Sequence, residues 1–221
     1  MVIDRISLSD VLPRVFAGSE EESPVKESEV WMRTISFVRG GCYLIEAESG
    51  TGKSSLCSFI YGNRDDYRGI IKFNDTDIRS LSVGDWCDIR RSSIALLPQE
   101  MRLFPELSAW DNVQIKNRLT GYLTDKKIDE MFDTLGIGAK KHIPVAKLSI
   151  GQQQRVAVIR TLAQPFSFVL LDEPVSHLDT LNNSIVATMV AEHARAQGAG
   201  IISTSVGNPL LLQTPLNHIS L

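Results

Sequence analysis

The sequence predicts an α/β protein: a parallel sheet covered on both faces, with a helical lobe inserted near the middle of the chain. Three observations carry this. The runs "CYLIEA" (42–47), "SIALLP" (93–98), "FSFVLLDEP" (166–174) and "GIISTS" (200–205) are nearly continuous apolar stretches, as expected of strands buried on both faces. Helical patterns with apolar residues three and four apart separate them, as in "LNNSIVATMVAEHARAQ" (181–197). From about 100 to 160 the alternation stops, and "SAWDNVQIKNRL" and "DKKIDEMFDTLGI" read only as helix.

Taken in order, "VIDRISL" (2–8) reads as a short strand. "GSEEESPVKESE" (18–29) is acidic, carries a proline and has no period, which predicts a solvated loop. "VWMRTISFV" (30–38) alternates like a strand, and the glycines of "RGG" (39–41) turn it into "CYLIEA". A helix is expected to start near Lys53. "GIIKFNDTDI" (69–78) reads as a strand with a polar turn, and Pro98 stops the strand at 93–98. At 221 residues, 43% of them apolar, one large domain with a substantial core is expected. The net charge of −3 argues against a nucleic-acid partner. Three scattered cysteines without a CxxC pair predict neither a zinc site nor a disulfide framework, and fit a reducing cytoplasm. The opening "MVIDRISLSD" lacks the pattern of a signal peptide, and no apolar run reaches the roughly 18 residues of a membrane span. Any action at a membrane would need another chain.

The stretch "AESGTGKSS" (47–55) follows a buried strand. It matches the phosphate-loop pattern G-x-x-x-x-G-K-[ST] at Gly52, Lys53 and Ser54, with Ala47 in place of the first glycine. Gly50 and Gly52 let backbone N–H groups, those of Glu48, Ser49 and Thr51 included, curl round phosphates, and the next helix adds its positive end. Lys53 reaches the outer phosphates, Ser54 offers a hydroxyl to Mg²⁺, and Ser55 continues the loop. The strand "FVLLDE" supplies the acids: Asp172 for the Mg²⁺ shell and Glu173 where a general base or water-orienting group belongs.

With these in place the chain resembles the ATP-binding cassette family over nearly its whole length. "KLSIGQQQRVAVIRTLAQPFSFVLLDEPVSHLD" looks like that family's signature motif, helix, Walker B strand and D-loop, and "IALLPQEMRLFPELSAWDNV" like its Q-loop. The wording is most similar to the lipoprotein-release, macrolide-export and cell-division branch. The resemblance implies a P-loop NTPase (RecA-like) core at 1–99 and 160–221, an N-terminal antiparallel β-subdomain, and a helical subdomain at 100–159. It implies ATP and Mg²⁺ as cofactors, with Gln99 a further Mg²⁺ ligand, and a head-to-tail dimer with a second copy or a paralogous subunit. Ser149, Gly151 and Gln152 would meet ATP on the other chain, Asp179 would lie at the dimer interface, and Phe16 would stack on adenine. Trp31 is expected in the core.

A membrane permease is the implied partner, docked near the Q-loop where Met101, Leu103, Phe104 and Leu107 are apolar. The chain would sit on the cytoplasmic face of the membrane through that partner. A C-terminal regulatory domain of the kind seen in some importers is not expected. Three departures stand out. Ser205 occupies the place of the switch histidine, Ile150 that of the signature's first glycine, and Ala47 that of the first P-loop glycine. The expectation is that ATP binding survives and hydrolysis is slowed or needs a partner. The competing readings are a soluble cassette protein and a non-hydrolysing interaction module.

Overall fold

The computed structural model describes residues 1–19, 21 and 25–221. The acidic stretch 18–29 therefore lies partly outside the described residues, at 20 and 22–24.

Two sheets organise the chain. The first is antiparallel, in the order β2-β1-β4-β5, and comprises β1 (Arg5–Pro13), β2 (Thr34–Val38), β4 (Tyr67–Phe73) and β5 (Thr76–Asp77). The second is parallel, in the order β6-β7-β8-β3-β9, from β3 (Cys42–Glu46), β6 (Ile94–Leu97), β7 (Phe168–Asp172), β8 (Gly200–Ser205) and β9 (Asn217–Ser220). All five residues of β7 are buried, and they alternate between two cores. Phe168 and Leu170 join the core shared with the antiparallel sheet and α1 (Lys53–Ile60), while Val169 and Leu171 join the one shared with the helical lobe. A strand buried on both faces has no polar side to show, hence its unbroken apolar sequence. The fold is that of a P-loop NTPase with an antiparallel β-subdomain and a helical insertion.

The helical lobe holds α3 (Ala109–Asn117) and α4 (Asp125–Thr134), followed by α5 (Ile150–Leu162). It is less continuous than the sequence predicts. Residues 100–108 contain no helix, and 138–148 contain only short 3-10 turns. The reading of 30–38 as one strand is also corrected. Residues 30–33 form a turn, where the Ser28 hydroxyl accepts from the Val30 and Trp31 N–H groups, and pairing begins only at Thr34. Trp31 is a core residue as expected, but of this turn. β1 starts and ends later than the 2–8 of the sequence reading. Two elements were unforeseen: α2 (Val83–Ser92) and the edge strand β9. The last long helix, α6 (Thr180–Gln197), ends on Gly198 in the left-handed conformation, the usual helix stop. Among the described residues, no helix is long and apolar enough to cross a membrane.

Candidate nucleotide site

The site forms at the carboxyl ends of the parallel strands. β3 runs into the turn at 47–52, and Gly52 caps α1 with φ of 104°. Only glycine takes this conformation without strain, and a Cβ here would sit 2.9 Å from the Trp31 ring. Trp31 in turn donates its indole N–H to the Thr51 carbonyl at 2.9 Å. A buried aromatic thus fixes the phosphate-loop turn from below, a role sequence reasoning missed. Phe16 lies on the same side, 3.4 Å from that Cβ position, and is part-exposed. Ala47 has no positive φ, so the absent first glycine costs no backbone strain.

A cavity of about 220 Å³ gathers Ser49, Gly50, Gly52, Lys53, Ser54, Ser55, Gln99 and Glu173. Lys53 is folded onto the loop, donating to the carbonyls of Ala47 at 3.0 Å and Glu48 at 2.5 Å. Burial lowers its pKa, against the opposing pull of Glu173 and Asp172. Ser54 donates to the Gln99 side-chain oxygen at 3.3 Å. The loop's turn is closed by Thr51, whose hydroxyl donates to the Glu48 carbonyl at 3.0 Å.

The two acids are held by a residue the sequence reading passed over. Thr204 is fully buried and pairs with Asp172 across β7 and β8. Its hydroxyl donates to Asp172 at 2.9 Å and accepts the Glu173 N–H at 3.1 Å. Glu173 has φ of 50°, unusual for a residue with a side chain. Gln154 of α5 steadies it from the far side, donating to the Glu173 carbonyl at 3.2 Å and accepting the His177 N–H at 3.0 Å. Cys57, buried beneath, has its thiol pKa raised well above the ordinary value by burial and then by the charge of Asp172.

Ser149, Gly151, Gln152 and Asp179 do not line this cavity. Ser149 and Gln152 form a reciprocal cap on α5, and Asp179 caps α6. Gly151 packs against the 176–179 turn; a Cβ there would stand 3.0 Å from the His177 carbonyl oxygen. Ile150 is 48% exposed. Ser205 is buried and outside the cavity lining, and its hydroxyl has no hydrogen-bond partner. Of the four apolar Q-loop residues, Met101 is core and Leu103 packs against it, while Phe104 and Leu107 are exposed.

The oxygen donors Ser54, Gln99 and Asp172 suit Mg²⁺, a hard cation that commonly binds through few protein ligands plus substrate phosphates. Among the described residues no group of three or more His, Cys, Asp or Glu forms a metal cluster.

The family model described as ABC transporter matches residues 33–176. Rv0073 of Mycobacterium tuberculosis, an ABC transporter ATP-binding protein, is 26% identical over 90% of this chain, which spans 60% of that relative's length. The lipoprotein-releasing system ATP-binding protein LolD 2 of Rhodopirellula baltica is 30% identical over 76% of this chain and 69% of its own. The dimeric bacterial ABC transporter cassette MJ0796 superposes with a TM-score of 0.76 at 21% identity, covering 97% of this chain and 94% of that one. With the phosphate loop, the paired acids and the capped α5 in the order that its sequence announces, the chain belongs to the ABC transporter family.

Proposed function

We propose that the chain is the ATP-binding and ATP-hydrolysing subunit of an ABC transporter, working as a head-to-tail dimer on a membrane permease. The observation that carries this is the convergence of Lys53, the Ser54–Gln99 pair and Glu173 on one cavity over a glycine-shaped turn. On this reading the turn's N–H groups and Lys53 hold the phosphates, and Phe16 takes the adenine face. Ser54, Gln99 and Asp172 hold Mg²⁺, which when bound neutralises charge between the phosphates. Glu173 accepts the proton of the attacking water. Lys53 must swing off its two carbonyl acceptors when phosphate arrives.

The second half of each site comes from the partner chain. Ser149, Gly151 and Gln152 present a capped helix start, and Asp179 stands on the adjoining turn. In the isolated chain this face is open: Ile150 is 48% and Leu181 71% exposed. Those values support a surface that the dimer covers. The permease holds the complex at the cytoplasmic face of the membrane, contacting the exposed Phe104 and Leu107.

The second reading, a slow or non-hydrolysing member of a heterodimer, is favoured by Ser205, which offers neither the charge nor the reach of a histidine. Both readings meet one experiment. The Glu173→Gln variant is trapped with ATP and Mg²⁺, and wild-type turnover is measured beside it. The first reading expects wild-type turnover, lowered at least about 100-fold in the variant, with an ATP-dependent dimer and a multi-span membrane protein that co-purifies. Wild type that binds ATP but turns over only with a paralogous subunit supports the second. Failure to bind ATP refutes both.

A further inference from the structure

A second cavity, of about 930 Å³, opens between the antiparallel sheet, the end of α1 and the start of α2. Arg14, Arg64, Arg68 and Arg79 line it, against one lining acid, Asp65, with Trp86 as part of the wall. Arg79 is held in place by neutral groups. Arg79 lies 4.3 Å from the Tyr67 ring centroid and donates to the carbonyls of Tyr67 and Gly69. Arg68 donates to the Met32 sulfur. Among the described residues, Arg14 and Arg79 make no salt bridge. Arg64 is paired with Asp66 through contacts of 2.8 and 2.6 Å, and also donates to Ser55 of the nucleotide cavity at 3.0 Å. The two cavities therefore share a wall without sharing a lining residue.

Held guanidinium forks with spare N–H donors match phosphate oxygens, and their fixed positions lower the ordering cost of binding. We propose that this cavity is an anion site, separate from the phosphate loop, that takes a phosphate-bearing ligand: a free phosphate compound or a lipid headgroup. Its cations outnumber its acids in a fold whose net charge is negative, so the positive field is local to the cavity.

The test uses the full chain carrying Lys53→Ala, which disables the phosphate loop. Inorganic pyrophosphate is titrated by calorimetry at low ionic strength. In parallel, the protein is sedimented with vesicles of phosphatidylglycerol in phosphatidylcholine, and with phosphatidylcholine alone. Binding of pyrophosphate, or selective binding of the anionic vesicles, is expected, the first assigning a free phosphate ligand and the second a headgroup. Adding Arg14→Glu and Arg79→Gln should weaken it at least about tenfold. Arg14→Glu alone, at an exposed side chain, should weaken binding without lowering the melting temperature, which separates the site from a folding defect. Binding of neither probe overturns the proposal, and so does binding undiminished by the arginine changes.

Discussion

Replacing Thr204 with valine removes one hydroxyl and almost no volume, and it tests how the acids are held. In the native chain that hydroxyl gives a hydrogen bond to a buried carboxylate and takes one from the Glu173 N–H. Loss of the first costs about 1.5–3 kcal/mol, since its acceptor is charged; leaving the second donor unpaired costs about 1–3 kcal/mol. The sum is roughly 2.5–6 kcal/mol, with no offset from strand propensity because valine suits a strand as well as threonine. For a chain of this size each kcal/mol shifts the melting temperature by about 2–4 °C, so a fall of at least about 5 °C is expected. Differential scanning calorimetry reads it directly. Glu173 also loses the contact that holds the N–H of its left-handed backbone, so ATP turnover should drop more than ATP affinity. A variant that melts within 1 °C or so of wild type would refute the hydrogen-bond reasoning. Normal stability with lost turnover would confine the effect of the bond to the site.

Three further outcomes follow from the same geometry. Gln154→Leu leaves the His177 N–H without its acceptor and removes one of the two donors to the Glu173 carbonyl, and should destabilise by about 1–3 kcal/mol in denaturant titrations. Trp31→Phe removes the bond to Thr51 and opens space under Gly52; a stability loss of about 2–4 kcal/mol is expected, with weaker binding of a fluorescent ATP analogue. His193 has its pKa lowered, chiefly by burial beside Met189. Below the unfolded value the denatured chain then binds more protons than the native one, so stability falls as pH drops from about 6.5 toward the lower folded value. Unfolding midpoints taken at pH 7.5 and pH 5 should show this, and His193→Gln should shrink the difference.

The elements that were plain in the sequence are those whose physics is one-dimensional. β7 and β8 are buried along their whole length and begin with apolar runs, and the phosphate-loop residues follow a strand end in consecutive order. α2 was hidden because only Ile89 among its ten residues is buried, so it carries almost no periodic signal. Its mark was the Ser82–Asp85 capping box, a three-residue pattern easily read as a turn. β9 buries only Ile219, as an edge strand does. Trp31, Gln154 and Thr204 act on partners 20, 19 and 32 residues away, and no local pattern announces such bonds. Hydrophobicity does mark Trp31 as core, but the indole N–H that reaches the phosphate loop is visible only in three dimensions.

The three departures from the family pattern differ in physical weight. Ala47 is silent, because its backbone never enters the region where glycine matters. Ile150 places an apolar side chain in solvent at the first turn of α5, which costs the single chain little. Ser205 is different. Strand alternation turns residue 204 toward Asp172 and the phosphate loop, and turns 203 and 205 to the opposite face, where both serine hydroxyls are buried without partners. A histidine at the end of β8 has the length to reach round the strand terminus; a serine hydroxyl one bond beyond Cβ does not. At this strand end the acids are therefore organised by Thr204, whose hydroxyl bonds both Asp172 and the Glu173 N–H, while the Ser205 hydroxyl lies on the other face of the strand.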